Sequence, residues 1–193
     1  MKRLAFAILA STVLSAAASA ETYQIDPRHT QVLFTYSHLG FADITGRFDD
    51  VQGSISYDPA DPAAASVEVT VPIATVSSGV AEMDAHFLRD DLFDASQFPT
   101  ATFKSTAVES AGTDKLRVTG ELTIHGVTRP TTFDVAINKI GEHPMRKVPA
   151  AGFTATATIK RSDFGVDKYV PAIPDEVRLS ISTEALKAEP AAD

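Results

Sequence analysis

The sequence contains no cysteine, so no disulfide can staple the fold and no acylated cysteine can anchor an N-terminus. The folded chain must be held by its core alone. Positive charge is also scarce: 17 Lys and Arg stand against 25 Asp and Glu, a net charge of -8. Such a surface repels phosphate backbones and anionic headgroups, which argues against nucleic-acid binding and against adsorption on a membrane face. Nor is there a long apolar run at residues 4–14, where about eleven residues fall short of the roughly 20 needed to cross a hydrocarbon core. No stable membrane insertion is expected.

Two catalytic signatures are missing as well. There is no Gly-x-Ser-x-Gly elbow to expose a nucleophile, and no His-x-x-x-His pair to converge on a metal. The adjacent carboxylates Asp49-Asp50 and Asp90-Asp91 point apart and read as bulge polarity and capping. The expectation is a protein that is not an enzyme, with no catalytic residue and no metal ligand.

What is present begins with an address. Lys2 and Arg3 precede the apolar residues 4–14, and Ala18-Ser19-Ala20 supplies the small-x-small pattern of a signal peptidase site. Residues 1–20 read as a cleavable signal peptide that delivers the chain to the periplasm. Residues 21–187 show no linker, low-complexity tract or repeat and form one expected domain, and residues 188–193 read as a loose tail.

Within that domain, apolar residues alternate strand after strand: Val67, Val69, Val71 and Ile73; Leu116, Val118, Gly120, Leu122 and Ile124; Val177, Leu179 and Ile181. Short turn sequences such as Asp58-Pro59-Ala60-Asp61-Pro62 and His125-Gly126 separate neighbours by too few residues for parallel crossovers. The apolar parity switches between Phe48 and Val51, which predicts a bulge near Asp49-Asp50. One segment departs from the pattern. Val80, Met83, Phe87 and Leu88 fall at helical spacing after Ser77-Ser78, and Asp94-Ala95-Ser96-Gln97 has the form of a capping box. The reading is an all-β, eight-stranded antiparallel barrel with a short helical insertion near residues 79–98, because closure removes exposed sheet edges.

The interior of such a barrel is where a function can sit. The inward parity places Phe34, Tyr36, Phe48, Phe103, Leu122, Phe133, Phe153, Ala155, Ala157 and Ile159 on the lining. Ala155 and Ala157 carry only a methyl group, and Gly120 and Gly53 lie on the same parity, so space is left over. Two readings stand. Either the phenylalanines fill the gaps and the barrel is solid, or a tunnel remains that accepts an extended chain. A strand of about ten residues, tilted 35 to 45°, gives a barrel roughly 25 Å tall. At about 0.8 kcal/mol per buried methylene, an apolar chain needs no headgroup site to bind well.

Read in order, several motifs resemble the YceI-like family of periplasmic polyisoprenoid-binding proteins across the mature chain. They are Asp26-Pro27-Arg28-His29-Thr30-Gln31-Val32-Leu33-Phe34, His38-Leu39-Gly40-Phe41, Met83-Asp84-Ala85-His86-Phe87-Leu88-Arg89-Asp90, Gln97-Phe98-Pro99-Thr100, Leu122-Thr123-Ile124-His125-Gly126 and Arg161-Ser162-Asp163-Phe164-Gly165. Phe87 and Leu92 stand where the family more often has Leu and Phe, and Thr30-Gln31 where Ser commonly follows the His. The resemblance implies an extended lipocalin-like barrel holding an isoprenoid lipid or quinone, with no other cofactor. It also implies a homodimer and a membrane cytochrome b partner.

The polar candidates then gather at the pore rim as headgroup contacts: His29, His38, His86 and Arg161, with Lys168 and Tyr169 weaker on the same loop as Arg161. Each has a structural counterpart. The histidines can fix loops, and Arg161 can pair with Asp163, Asp84 or another carboxylate. His125 and His143 read as solvated. Two rival functions follow from the same residues: a solid barrel whose acidic exterior docks a partner, and an enzyme acting on a lipid at the mouth.

Overall fold

The computed structural model describes residues 20–187. Residues 1–19 of the expected signal peptide and the expected tail at 188–193 lie outside the described residues. Ten strand segments run in chain order: β1 (Glu21–Ile25), β2 (Gln31–His38), β3 (Ala42–Phe48), β4 (Gln52–Tyr57), β5 (Ser66–Pro72), β6 (Thr100–Gly112), β7 (Lys115–Ile124), β8 (Val127–Glu142), β9 (Pro149–Lys160) and β10 (Glu176–Lys187). One helix, α1 (Ala81–Phe87), follows β5.

The ten segments make eight staves. β1 and β2 both pair with β10, and β4 and β3 pair with β1 and β2 in turn, so each couple is one long strand broken at a bend. The first break is the turn Pro27–His29, where proline cannot donate to a ladder. The second follows Phe48, where Asp50 takes φ 55°, and it coincides with the expected bulge. Antiparallel pairing then runs β4-β5-β6-β7-β8-β9-β10, and β10 returns to β1. The barrel is closed.

Local chemistry explains the tight connections. β7 passes to β8 through His125 and Gly126, at φ 51° and 72°, the left-handed pair that a two-residue hairpin of matching twist requires. The alternation read from sequence survives as an inward row: Leu116, Val118 and Leu122 are buried while Lys115, Arg117 and Glu121 are exposed.

The barrel is unequal end to end. At one end Tyr23, Tyr57, Phe153, Val108, Leu116 and Ala185 pack into a buried cluster that closes it. At the other, β3 has β2 as its sheet neighbour and, among the described residues, a single further bridge from Arg47 to Ser77. There α1 and the turns after it pack across the gap, with Phe87 and Val76 buried against Phe34 and Phe48. The helix is shorter than the expected 79–98 insertion, and its cap runs the other way. Val80 caps it without a side-chain bond, and Asp84 reaches back to accept the Ser78 N–H and Oγ–H, both at 2.6 Å. Residues 88–97 are turns around Asp94, which accepts from Ser96 Oγ and Gln97 Nε2.

Candidate ligand-binding site

The lumen is hollow. A chamber of about 460 Å³ opens at the α1 end, and a second of about 180 Å³ lies deeper in the barrel. The first falls within the size range of small-molecule sites. Of the expected lining residues, Phe34, Tyr36, Phe48 and Ile159 face the outer chamber. Phe48, Phe103, Leu122, Phe133, Phe153 and Ala155 face the inner one. Ala157 shares their parity and is half-buried, but it borders neither chamber.

The expected source of the empty space needs correcting. Gly120 and Gly53 do not leave room. A Cβ on Gly120 would stand 2.6 Å from the Phe103 ring, and one on Gly53 would press on the β5 backbone, 3.0 Å from Val69 Cα. Both glycines are seats for a neighbour. Ala155, one of the small residues expected to face inward, does border the inner chamber, beside rings that pack on one another: Phe103 meets Phe133 edge to face at 5.1 Å, and Tyr57 meets Phe153 at 5.9 Å.

The wall of the inner chamber presents apolar atoms throughout. Four of its residues carry a hydroxyl, Thr30, Tyr57, Thr102 and Thr183; Thr30 and Thr183 hold theirs 2.9 Å apart and satisfy each other, and none of the four presents its oxygen to the chamber. A ligand head would find nothing to bond there. The outer chamber differs by a polar arc of Tyr36, His38, His86, Arg161, Lys168 and Tyr169.

Arg161 organises that arc. Its guanidinium donates to four backbone carbonyls: Nη1 to Val166 and Lys168 (2.8 and 2.7 Å), Nη2 to Ile173 (3.0 Å) and Nε to Pro174 (3.2 Å). Neither Asp163 nor Asp84 pairs with it, contrary to the expected counterpart role. Four of five N–H donors are therefore committed to folding residues 165–175 over the mouth, and one remains. Burial pushes its pKa down, against the pull of Asp175 and Asp167. Asp175 itself anchors the other side of the loop, accepting the Ser162 N–H at 2.9 Å and Ser162 Oγ–H at 2.7 Å. Tyr36 lies opposite, its hydroxyl 4.0 Å from Met83 Sδ and its pKa raised by burial. A thioether is a weak acceptor, so this hydroxyl has unused capacity. His86 rests edge-on against Tyr169 at 6.2 Å and points Nε2 towards Asp91, 3.9 Å away.

His29 is not at this rim. The turn that breaks the first stave carries it outward, where Asp26 accepts from Arg28 and His29. Asp26, His29 and Glu184 bring one potential ligand atom each within 4.8 Å of one another. The donor set does not suit a metal. Asp26 is held by Arg28 at 2.9 and 3.0 Å, and Nδ1 of nearby His143 accepts the N–H of Met145 and Arg146. That leaves a proton on His143 Nε2, which faces Glu184 at 3.3 Å. The group is centred on the Arg28–Asp26 ion pair, with Glu184 Oε1 buried beside it and without a hydrogen bond, and His143 is half-buried, not solvated as expected. Nor is His125, whose ring packs on Phe98 at 4.5 Å.

Several wall residues were invisible to strand parity. Met83, Phe87, Leu92 and Phe93 come from α1 and its turns, and Phe164, Val166 and Ile173 from the Arg161 loop. The helical spacing marked Met83 and Phe87 as apolar without saying what they face. The mouth is also ringed by exposed apolar groups, with Leu39 and Tyr169 about half exposed and Phe41 91% exposed on the β2–β3 turn.

Comparison with known proteins agrees with this architecture. The YceI-like domain matches residues 23–185. A UPF0312 protein of Shewanella baltica is 39% identical over 191 residues, covering 97% of this chain and 100% of its own length. One from Pseudomonas putida is 40% identical over 189 residues, covering 96% and 97%. Among solved structures, Burkholderia cenocepacia BcnA superposes with a TM-score of 0.76 at 28% identity, over 83% of this chain and 99% of its own. The Campylobacter jejuni YCEI protein gives 0.72 at 31%, over 79% and 90%. A polyisoprenoid binding domain from Saccharophagus degradans gives 0.67 over 86% and 98%; at 16% identity it shows the fold alone.

Proposed function

Because this chain belongs to the YceI-like family, we propose that it is an exported, periplasmic binding protein that carries one long-chain isoprenoid lipid in its barrel and does no chemistry on it. The observation that carries the reading is the gradient along the lumen: a polar arc at the mouth, then walls that offer nothing but apolar atoms. That is the complement of a molecule with a compact polar head and a long hydrocarbon tail. At about 0.8 kcal/mol for each methylene removed from water, the tail supplies the affinity. Tyr36, His86 and the remaining Arg161 donor supply orientation, and a quinone carbonyl or a polyprenyl oxygen is the acceptor they fit.

The solid-barrel alternative loses its basis in a lumen of this size. An enzyme reading gains no support from the arc, where four of the five Arg161 N–H donors hold the mouth loop and the Tyr36 hydroxyl has a thioether beside it.

The test is extraction. Protein recovered from the periplasm, washed and extracted with organic solvent, is expected to release about one prenyl lipid per chain in the mass spectrum. Recovery from the periplasm with no lipid, and no uptake of a prenyl quinone added later, overturns the proposal.

A further inference from the structure

The two chambers share four wall residues: Phe48, Phe93, Ile124 and Leu179. At that waist the rings of Phe48 and Phe93 meet edge to face, 5.7 Å between centroids and 73° between planes. They are held differently. Phe48 ends β3, is buried, and packs on Phe34 at 5.4 Å. Phe93 belongs to no strand or helix. It sits half-buried on the turn after α1, tied by its N–H to Phe87 O at 3.0 Å. A ring on such a turn yields at less cost than one on a stave of a closed barrel, whose backbone bonds lock it on both sides.

The chemistry beyond the waist decides what can pass. The wall of the inner chamber presents no polar atom, so only the apolar end of a chain can occupy it. We infer that Phe93 is a specificity-determining divider of the lumen: prenyl chains that end in the outer chamber bind without moving it, and longer chains reach the inner chamber only by displacing its ring. The inference rests on the carrier reading and adds to it a rule for chain length.

The rule is visible in a titration of the full chain, stripped of lipid, with a graded series of all-trans prenyl alcohols. The unmodified protein gains affinity by about tenfold or more with each added isoprene unit, then reaches a plateau at the length that fills the outer chamber. Phe93→Ala removes the plateau, and the gain continues by about tenfold into longer chains. Phe93→Leu, which keeps the turn packed should the alanine variant unfold, shifts the plateau to longer chains. In the Phe93→Ala background, Ala155→Phe fills the inner chamber and restores it. A length profile that is the same in the unmodified protein and in both Phe93 variants overturns the divider while leaving the carrier intact. Failure of Ala155→Phe to restore the plateau also overturns it, since the extra chain then lies elsewhere. If no prenyl alcohol of any length binds the unmodified protein, the carrier reading itself falls and the divider with it.

Discussion

Phe34 lies over Gly46, its partner across the β2–β3 ladder, so closely that a Cβ on Gly46 would stand 2.6 Å from ring atom Cε1. The glycine is a seat, and the ring it seats is the hub of the outer chamber. Phe34 lies parallel to Tyr36 at 6.5 Å and meets Phe87 edge to face at 5.6 Å. The three atoms nearest that Cβ all belong to the Phe34 ring, so Gly46→Ala must push the ring towards Tyr36 and Phe87. Overpacking of this kind costs about 1–3 kcal/mol. Urea denaturation is expected to show that loss, and Phe34→Leu added to Gly46→Ala to cost less than the two changes summed. Simple additivity would mean that the ring does not depend on the glycine.

Arg161 yields a prediction about motion. Four carbonyls of residues 166–174 converge on one guanidinium, and only a planar, multi-donor group meets all four. Lysine keeps the charge but has three donors on a single nitrogen. Arg161→Lys is therefore expected to loosen the mouth loop almost as much as Arg161→Ala. Hydrogen exchange at residues 165–175 should rise at least tenfold in both variants, with β6–β8 unchanged. Protection retained in the lysine variant would show that charge, not the donor fan, holds the loop.

Asp26 gives the protein a measurable acid limb. The Arg28 guanidinium holds its carboxyl well below the usual carboxylate range, against the opposing effect of burial and with help from the Arg28 N–H and His29. Its side chain is 5% exposed and that of Arg28 63%. A depressed carboxylate adds stability that is whole above its unfolded value of about 3.9 and is lost as pH falls towards its folded value. Screening around the exposed guanidinium keeps the amount to about 1–2 kcal/mol. Urea melts from pH 7 down to pH 2 should show the unmodified protein losing that increment below about pH 4. Asp26→Asn should start lower by the same amount at neutral pH and lose less on acidification.

Much of this fold can be read from the sequence because strand parity is a local rule. Leu116 to Ile124 alternate in the text as they do in the barrel, and the parity switch after Phe48 marks the bend. The breakdowns have physical causes. The motif that holds His29 marks it as a rim candidate without saying which way its turn points, and Asp26 bonds its own downstream backbone and turns the chain outward. For Arg161 the sequence offers nearby carboxylates such as Asp163 as partners. Its real partners are carbonyls, which every residue has and no motif marks. Gly120 and Gly53 were read as vacancies, since a sequence shows what a residue lacks and not which neighbour moves in. Phe93 had no periodicity to betray it. Its position depends on a turn built around Asp94, whose partners Ser96 and Gln97 are legible only as a cap.

The polar arc and the apolar lumen should be separable by experiment, because they contact different parts of the same ligand. Tyr36 is the cleanest place to divide them. Its side chain is half-buried, its hydroxyl lies 4.0 Å from Met83 Sδ, and it lines the chamber together with Arg161. Removing it leaves the ring in place over Phe87, so the packing of the chamber is kept. Tyr36→Phe is therefore expected to weaken a prenyl quinone by about five- to tenfold, the worth of one hydrogen bond to a neutral acceptor. The affinity for a prenyl hydrocarbon of equal length, with no oxygen to accept that bond, should stay within about twofold. Competition of both ligands against an environment-sensitive fluorescent lipid measures the two in one format. An equal loss for quinone and hydrocarbon would mean that Tyr36 acts through the shape of the chamber alone, and that the head of the ligand is oriented elsewhere along the arc.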